Sequence, residues 1–206
     1  MLGKLFAFGL CALSAVACAD GDDDNCVIQV HDAPPVPYEA VKSYRMVIDT
    51  DIPANKMGPI VDAAAEWSTA SGGAFVFEVE MRNFSSSEAP KDGEMRVWMG
   101  PNNDPQSKTI GHATWWGKNL PARSIIWIQD NLSPRVHYLV AVHEVGHAVG
   151  LQHNDDPQSI MQPVIHDVGD HVTCVDRKSL CTMWGCDPQC QQRSQIESET
   201  LTLSMY

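Results

Sequence analysis

The chain has 206 residues, and its 14 Lys and Arg against 26 Asp and Glu give a formal net charge of −12. Because phosphate binding requires clustered Lys and Arg, an acidic chain without a basic run argues against nucleic acid as a partner. Hydrophobic residues make up 44% and charged residues 19%, which is the balance of a globular domain rather than of a disordered chain. The length predicts one domain, and no internal stretch has the roughly 18 apolar residues of a membrane span.

The first residues have the pattern of a secretory signal: Lys4, an apolar run over residues 5–17, and small side chains at its end. We therefore predict a signal peptide over residues 1–18 and an exported protein, either secreted or anchored on the extracytoplasmic side of a bacterial cell. The segment that ends at Cys18 resembles a bacterial lipobox, which would place a lipid anchor on Cys18. The alternative is an A-x-A cleavage site at residues 17–19, which would remove that cysteine.

Composition divides the rest of the chain into three parts. Residues 19–40 are acidic and then proline-rich, which predicts a linker. Residues 41–185 alternate between strand-like and helix-like patterns, which predicts one mixed α/β domain. Residues 186–206 form a polar tail that contains Cys186 and Cys190.

The patterns predict, in chain order, a strand at 45–49, a helix at 58–71, and strands at 75–80, 95–99, 110–116 and 124–129. The second and third strands alternate as half-buried strands do, whereas the last is almost entirely apolar and is expected to be buried on both faces. Ser133 and Pro134 open a long helix that runs to about Val149 and ends at Gly150. A short last helix begins after Thr173 and ends near residue 185.

Three histidines lie at the end of the long predicted helix, in the pattern H-E-x-x-H-x-x-G-x-x-H from His143 to His153. His143 and His147 are four residues apart and therefore project from one face of the helix. Gly150 allows the chain to turn back and bring His153 to the same point. Three imidazoles that leave a fourth position open are the ligand set of a catalytic zinc ion.

Glu144 is one residue further round the helix than His143, so it lies close to the metal without being forced to bind it. That is the position of a general base. The predicted reaction is hydrolysis, in which zinc polarises the scissile carbonyl and Glu144 takes the proton of the attacking water. The histidines that lack a partner at ligand spacing are interpreted as packing or solvated residues: His31, His137, His166 and His171.

The extended motif, together with Met161 eight residues beyond His153, resembles the metzincin metallopeptidases and most closely their matrixin-like branch. In that family a methionine in a tight turn lies beneath the zinc site, and Met161 takes this place. The resemblance covers most of residues 41–185. It implies a twisted, mainly parallel sheet with an active-site helix and a small C-terminal subdomain below the cleft. It also implies a zinc endopeptidase that acts on proteins or peptides, and we expect a monomer.

The same resemblance assigns Gly111, His112 and Ala113 to an edge strand along the cleft, where an extended substrate would pair with it. His112 is equally well explained as a surface residue of that strand. Val164 and Ile165, which follow the Met-turn, would line the pocket beside the zinc. Two alternatives remain: a non-catalytic surface or binding module that retains the zinc-peptidase fold, and a zinc hydrolase of another bond, such as an amidase.

Two loops carry oxygen ligands of the kind that Ca²⁺ prefers, at residues 102–104 and at Asp155–Asp156. A calcium site is one interpretation of each loop, and a plain solvated loop is the commoner one for such short segments. The sequence departs from the matrixin-like pattern at Asn154, where members of that branch usually carry serine.

The cysteines near the C-terminus are expected to form disulfides, because the chain is predicted to be exported. Their gaps lack the paired spacing of a structural zinc site. If Cys174 opens the last helix, Cys181 lies about 10 Å away along the helix axis, and the two cannot bond to each other. Each is therefore expected to bond to a cysteine outside that helix: Cys186, Cys190 or Cys26.

Overall fold

The structure is a computed structural model that describes residues 42–85, 88–104, 106–116, 123–164 and 171–187. Predictions for the signal peptide, Cys18, Cys26, His31 and the linker lie outside these residues, as do those for Ile165, His166 and the tail from residue 188 onwards. Within the described ranges, no helix is both long enough and apolar enough to span a bilayer.

The described chain forms one sheet of five strands, accompanied by helices. The strands are β1 (Lys42–Ile48), β2 (Phe75–Met81), β3 (Glu94–Gly100), β4 (Gly111–Trp116) and β5 (Arg123–Gln129). The helices are α1 (Ala54–Ala70), α2 (Pro134–Ala148) and α3 (Cys174–Trp184). The strand order is β2-β1-β3-β5-β4. Strand β4 runs antiparallel to β5, whereas the other neighbours are parallel, which confirms the predicted α/β fold with a mainly parallel sheet.

The core lies between one face of the sheet and the helices. Alternate residues of the strands point into it, because side chains along a strand alternate between the two faces. The indole N–H of Trp67 in α1 donates to the carbonyl oxygen of Val142 in α2 at 2.7 Å, which joins the two helices. The fully buried apolar residues that the strands contribute to this core are Tyr44, Met46, Ile48, Phe75, Met95, Val97, Ile126 and Ile128.

Strand β3 is buried on both faces over residues 94–97, although its sequence predicted a half-buried strand. The segment that follows β2 covers the outer face. Arg96 donates to the main-chain oxygen of Glu88 at 2.7 Å and to its carboxylate at 2.8 Å. The guanidinium carbon of Arg96 lies 5.2 Å from the centre of the Phe84 ring. A charged residue is therefore fully buried because the loop between β2 and β3 packs over it and supplies hydrogen-bond partners.

Strand β5 differs from its prediction in the opposite direction. Its residues alternate between buried and partly exposed, so the strand is not buried on both faces. Ile126 and Ile128 face the helices and are fully buried. Trp127 faces the other way, packs beside Trp98 of β3 at 6.4 Å between ring centroids, and stays partly exposed. Apolar character alone therefore did not determine the burial of this strand.

Helix α1 begins at Ala54, four residues before its predicted start. Pro59 consequently lies inside the helix, where it removes one main-chain hydrogen bond. In the added turn, Lys56 Nζ donates to the carbonyl oxygens of Asp130 and Leu132 at 3.3 and 2.7 Å. This contact across the fold stabilises a first turn that the local pattern does not predict.

The other two helices begin and end as predicted. The Ser133 hydroxyl accepts from the first turn of α2, and Gly150 follows that helix with a φ of 107°. Thr173 and Asp176 form a capping box at the start of α3, and Gly185 ends that helix in a left-handed conformation. The last turn of the zinc-motif helix is therefore followed by a residue that can reverse the chain.

The cysteines of α3 bond outside the helix, as predicted. Cys181 forms a disulfide with Cys186, just beyond the end of α3, and their Cα atoms are 4.4 Å apart. Cys174 is also disulfide-bonded, and not to Cys181. These three cysteines consequently do not form a zinc ribbon.

Candidate active site

The three histidines of the motif meet at one point. His143 and His147 project from one face of α2, and the turn at Gly150 brings His153 beside them. One ring nitrogen from each histidine lies within 4.8 Å of the other two. The structure therefore brings together all three residues that the sequence predicted as metal ligands.

Hydrogen bonds orient the first two rings. Nδ1 of His143 lies 2.8 Å from the carbonyl oxygen of Ile160, and Nδ1 of His147 lies 2.8 Å from that of Leu151. Because a carbonyl oxygen can only accept, each Nδ1 carries the proton and each Nε2 presents a lone pair. The two Nε2 atoms are 3.0 Å apart, where two lone pairs repel unless a cation lies between them. Ligand nitrogens on one tetrahedral zinc ion are about 3.3 Å apart, so this donor set fits zinc.

Burial favours the neutral imidazoles that a metal ion requires. Burial, the largest cause, and the neighbouring imidazoles together lower the pKa of His143 to about 4 and that of His147 to about 3, although main-chain hydrogen bonds raise both. Protons and metal ions compete for the same nitrogen, so a ring that binds protons weakly is available to metal at neutral pH. The protein therefore holds these two rings ready for a cation.

The Glu144 carboxylate lies against β4. Burial raises the pKa of Glu144 to about 8, and the main-chain N–H of Ala113, which donates to the carboxylate, offsets part of that rise. Gly111 provides the space for this approach. A Cβ atom at that position would lie 2.6 Å from Glu144 Oε1 and 2.4 Å from Val140 Cγ1. The proposed base is thus held between α2 and the edge strand.

Strand β4 is the edge of the sheet beside the histidines. The N–H of Gln129 donates to the carbonyl oxygen of Ile110 at 3.0 Å, which sets the register of the β4–β5 ladder. In an antiparallel ladder, hydrogen-bonded pairs alternate with pairs whose main-chain groups point outward. Gly111 and Ala113 therefore direct their main-chain groups away from β5, where Glu144 accepts from the N–H of Ala113 and the carbonyl oxygens face the edge. A peptide could pair with this edge by strand addition.

Met161 is 1% exposed and packs beneath α2 at Gly146. A Cβ atom on Gly146 would lie 2.4 Å from Met161 Sδ and 2.8 Å from Cζ2 of Trp67. Gly146 occupies one of the variable positions of the predicted motif, so its importance was missed. A glycine inside a helix lowers helix stability, so its presence at position 146 was a sign that another side chain packs closely against the helix there.

Asp176 was also missed. It is 1% exposed at the start of α3, and its carboxylate accepts from the Ser159 hydroxyl and from the main-chain N–H of Ile160. It therefore holds the turn that carries Met161. The spacing Thr173-x-x-Asp176 is typical of a capping box and could have predicted the place of Asp176 on the helix. It could not have predicted the contact with the turn.

Comparison with known proteins agrees with this geometry. A family model described as matrixin, a peptidase family, matches residues 60–184, which is more than half of the chain. The chain belongs to the matrixin family. Matrixins are zinc metallopeptidases, and the three convergent histidines of this matrixin form the group that could hold the metal.

Individual relatives match shorter segments of this matrixin. Matrix metallopeptidase-21 from Danio rerio is 48% identical over 48 residues, which are 22% of this chain and 8% of that protein. Macrophage metalloelastase from Oryctolagus cuniculus is 39% identical over 57 residues, which are 26% of this chain and 12% of that protein. The solved structure of metalloproteinase-II from Bacteroides fragilis has a TM-score of 0.49 and 13% identity, covering 79% of this chain and 59% of that chain. The match thus spans a small part of the length of the curated relatives.

Two residues that were predicted to lie along the cleft of this matrixin are exposed. His112 is paired with Trp127 across the ladder, and its Nε2 lies 2.9 Å from Thr114 Oγ1. This agrees with the interpretation of His112 as a strand surface residue. Val164 is 59% exposed just beyond the Met-turn, so its apolar side chain is available to a ligand.

The remaining described histidines lie apart from the metal cluster. His137 is fully buried in α2, and neither ring nitrogen has a hydrogen-bond partner among the described residues. His171 Nδ1 lies 3.5 Å from Glu66 Oε1 of α1. Both observations agree with packing or surface roles. Over the described residues, one group of three potential metal ligands was found, and it consists of the motif histidines.

The loops with predicted calcium ligands use those oxygens within the chain. The side-chain oxygen of Asn102 accepts from the N–H of Asp104 at 3.0 Å, and Asp104 accepts in turn from Gln106 at 2.9 Å. Asp156 likewise accepts from the N–H of Gln158 at 2.8 Å. Such turns fit the interpretation as plain loops, and calcium binding stays a prediction.

Proposed function

We propose that this matrixin is an exported zinc endopeptidase in which His143, His147 and His153 hold the metal and Glu144 is the general base. The observation that carries the proposal is the convergence of the three imidazoles beside a buried glutamate and an open strand edge. These are the ligands, the base and the substrate platform that hydrolysis of an extended peptide requires.

The geometry supports the following division of labour. A zinc ion bound here supplies a Lewis acid for the scissile carbonyl and acidifies a water molecule. Glu144 accepts the proton of the attacking water and delivers it to the leaving amine. Gly111 and the carbonyl oxygen of Ala113 pair with the backbone of the substrate, which fixes its carbonyl group relative to Glu144. The exposed Val164 favours an apolar substrate side chain beside the zinc.

The proposal includes export. Matrixins are generally extracellular, and the disulfides of α3 are of the kind that persists in oxidising compartments. The predicted signal peptide agrees with this setting. We propose in addition that Cys18 is lipidated, which predicts that the mature chain begins at Cys18 and carries the mass of its lipid.

The test is digestion of a denatured protein mixture by the purified chain, with and without a zinc chelator, followed by sequencing of the new termini. We expect cleavage of internal peptide bonds that stops when the metal is removed and resumes when zinc is restored. A folded, zinc-loaded protein that cuts no peptide bond would favour the non-catalytic module. Release of ammonia or acyl groups without new peptide termini would favour the amidase alternative.

A further inference from the structure

We propose that Asp176 is a positioning residue of the zinc site and that it acts on His143 through a buried chain of hydrogen bonds. The proposal rests on the proposed role of His143 as a ligand. Asp176 lies on α3, outside the motif, and it is 33 residues beyond His143 in the sequence. Its effect is therefore transmitted through the Met-turn, which lies between α3 and α2.

The first step is the carboxylate itself. Oδ1 of Asp176 accepts from the Ser159 hydroxyl. Oδ2 accepts from the N–H of Ile160 at 3.1 Å, and from the N–H and hydroxyl of Thr173 at 2.9 and 2.8 Å. Two of its four donors thus belong to the Met-turn and two to the cap of α3. One side chain joins the helix to the turn.

The second step is one peptide group, between Ile160 and Met161. Its N–H, from Met161, donates to the Ser159 hydroxyl oxygen at 3.0 Å. Its carbonyl oxygen, from Ile160, accepts the Nδ1 proton of His143 at 2.8 Å. The same peptide therefore connects to the Asp176 carboxylate on one side, through Ser159, and to the first proposed ligand on the other.

The direction of these hydrogen bonds determines how Asp176 affects His143. His143 donates to the peptide, the peptide donates to Ser159, and Ser159 donates to Asp176. All three protons point toward the carboxylate, so each hydrogen bond polarises the next. A carboxylate that accepts from a metal-bound histidine raises the basicity of that ligand and fixes its orientation. Asp176 does the same at a distance, with a hydroxyl and a peptide group as intermediates.

Burial prevents water from replacing a broken link. All five residues that these hydrogen bonds join are at most 6% exposed: His143, Ser159, Ile160, Met161 and Asp176. A buried donor that loses its acceptor keeps the full cost of desolvation. His147 differs, because its Nδ1 is directed at the carbonyl oxygen of Leu151 in the loop that follows α2.

The test compares three variants of the full chain by their zinc dissociation constants, measured by competition with a chromogenic chelator. Ser159→Ala removes both central links, and Asp176→Asn replaces an acceptor oxygen with an amide group. The matched control is Thr173→Val, which removes a hydrogen bond to Asp176 from the cap of α3 and leaves the Met-turn links intact. We expect Ser159→Ala and Asp176→Asn to weaken zinc binding on the order of 10- to 100-fold. Thr173→Val should leave zinc affinity unchanged.

Two further measurements separate positioning from general loss of structure. The absorption spectrum of the Co²⁺-loaded protein should change in Ser159→Ala and not in Thr173→Val, because it reports the ligand field. Ser159→Ala should lower zinc affinity little further in the Asp176→Asn background, since the series of hydrogen bonds is already interrupted there. Ser159→Cys, which keeps a weak donor of similar size, should give intermediate affinity. These Ser159 variants carry the test if Asp176→Asn fails to fold.

The proposal is overturned if Ser159→Ala and Asp176→Asn bind zinc as tightly as the unmodified chain. It is also overturned if Thr173→Val weakens binding as much as they do, since the effect would then be the stability of α3. Either result leaves the proposed function intact when the unmodified chain binds zinc and cleaves peptides. An unmodified chain with no affinity for zinc would overturn both.

Discussion

His143 and Glu144 are adjacent in the chain, and burial changes their protonation in complementary ways. Burial lowers the pKa of the imidazole to about 4 and raises that of the carboxyl to about 8. In both cases the neutral form is favoured, because a charge loses its hydration in the protein interior. A neutral imidazole can bind a cation, and the same burial makes the ionised carboxylate of Glu144 a stronger base than an exposed one.

The first residue-scale prediction is that Glu144→Ala keeps zinc and loses peptidase activity. All three proposed ligands remain, whereas the group that transfers protons is removed. The rate should fall on the order of 10²- to 10⁴-fold. Metal analysis beside a peptidase assay measures both effects, and near-normal turnover would exclude Glu144 as the base.

The second prediction is that His153→Ala loses zinc affinity together with activity. The two imidazoles on α2 then form an incomplete site, since a catalytic zinc ion normally has three protein ligands. Titration of the metal-free variant with zinc measures the loss. His171→Ala is a matched control, because its ring lies beside Glu66 of α1 and outside the cluster of motif histidines. Stoichiometric, tight zinc in His153→Ala would show that another residue completes the site.

Helix α2 is buried along most of its length and carries both apolar core residues and two of the proposed zinc ligands. His137 shares this environment: burial, followed by the nearby charge of Lys56, lowers its pKa to about 4. The pKa in the unfolded chain is about 6.5, so the unfolded state binds a proton first as the pH falls. The stability that the neutral ring contributes is therefore complete above pH 6.5 and declines toward pH 4.

The prediction for α2 is that His137→Leu loses less stability on acidification than the unmodified protein. At pH 5 the two changes in unfolding free energy, each measured relative to pH 7.5, should differ by about 2 kcal/mol. Denaturant unfolding with a chelator present measures this without the contribution of bound metal. His112→Leu, at an exposed position, is the control. Equal pH dependence in His137→Leu and the unmodified protein would contradict the prediction.

At the scale of the whole molecule, the C-terminal part is joined to the rest through α3. The indole N–H of Trp184 donates to the carbonyl oxygen of Val149 at 3.1 Å, directly after the zinc-motif helix. The N–H of Val172 donates to Glu66 of α1 at 2.6 Å. The Cys181–Cys186 disulfide then attaches the chain that follows α3. Hydrogen bonds thus connect the part below the cleft to α1 and to the end of α2, and the disulfide joins the chain beyond α3 to that helix.

The whole-molecule prediction concerns that disulfide. Replacing both Cys181 and Cys186 by serine should lower stability by about 2 kcal/mol, because the bond closes a short loop, with a sequence separation of 5. Non-reducing peptide mapping of the unmodified protein should show this bond, and denaturant unfolding of the double variant should give its energy. A Cys174–Cys181 bond would contradict the helix placement, and free thiols at all these positions would contradict the disulfide prediction.

The local pattern of the sequence was sufficient to predict α2, α3 and the three histidines that converge at the candidate site. Helical spacing places His143 and His147 on one face whatever the rest of the chain does, and Gly150 marks where the helix ends. Ser133 likewise signals its start through a hydrogen bond within a single turn. These features depend on neighbours a few residues apart, and such neighbours are visible in the sequence.

Tertiary contacts decided the rest. Strand β3 is buried on both faces because Glu88 and Phe84, in the loop before it, pack over Arg96, while the more apolar β5 has one partly exposed face. Gly146 is required because Met161 packs directly against it. Asp176 has a role at the site because α3 packs against the Met-turn. The side-chain pattern records how apolar a residue is, but burial and hydrogen bonding depend on which segments meet across the fold. Only the tertiary structure determines that.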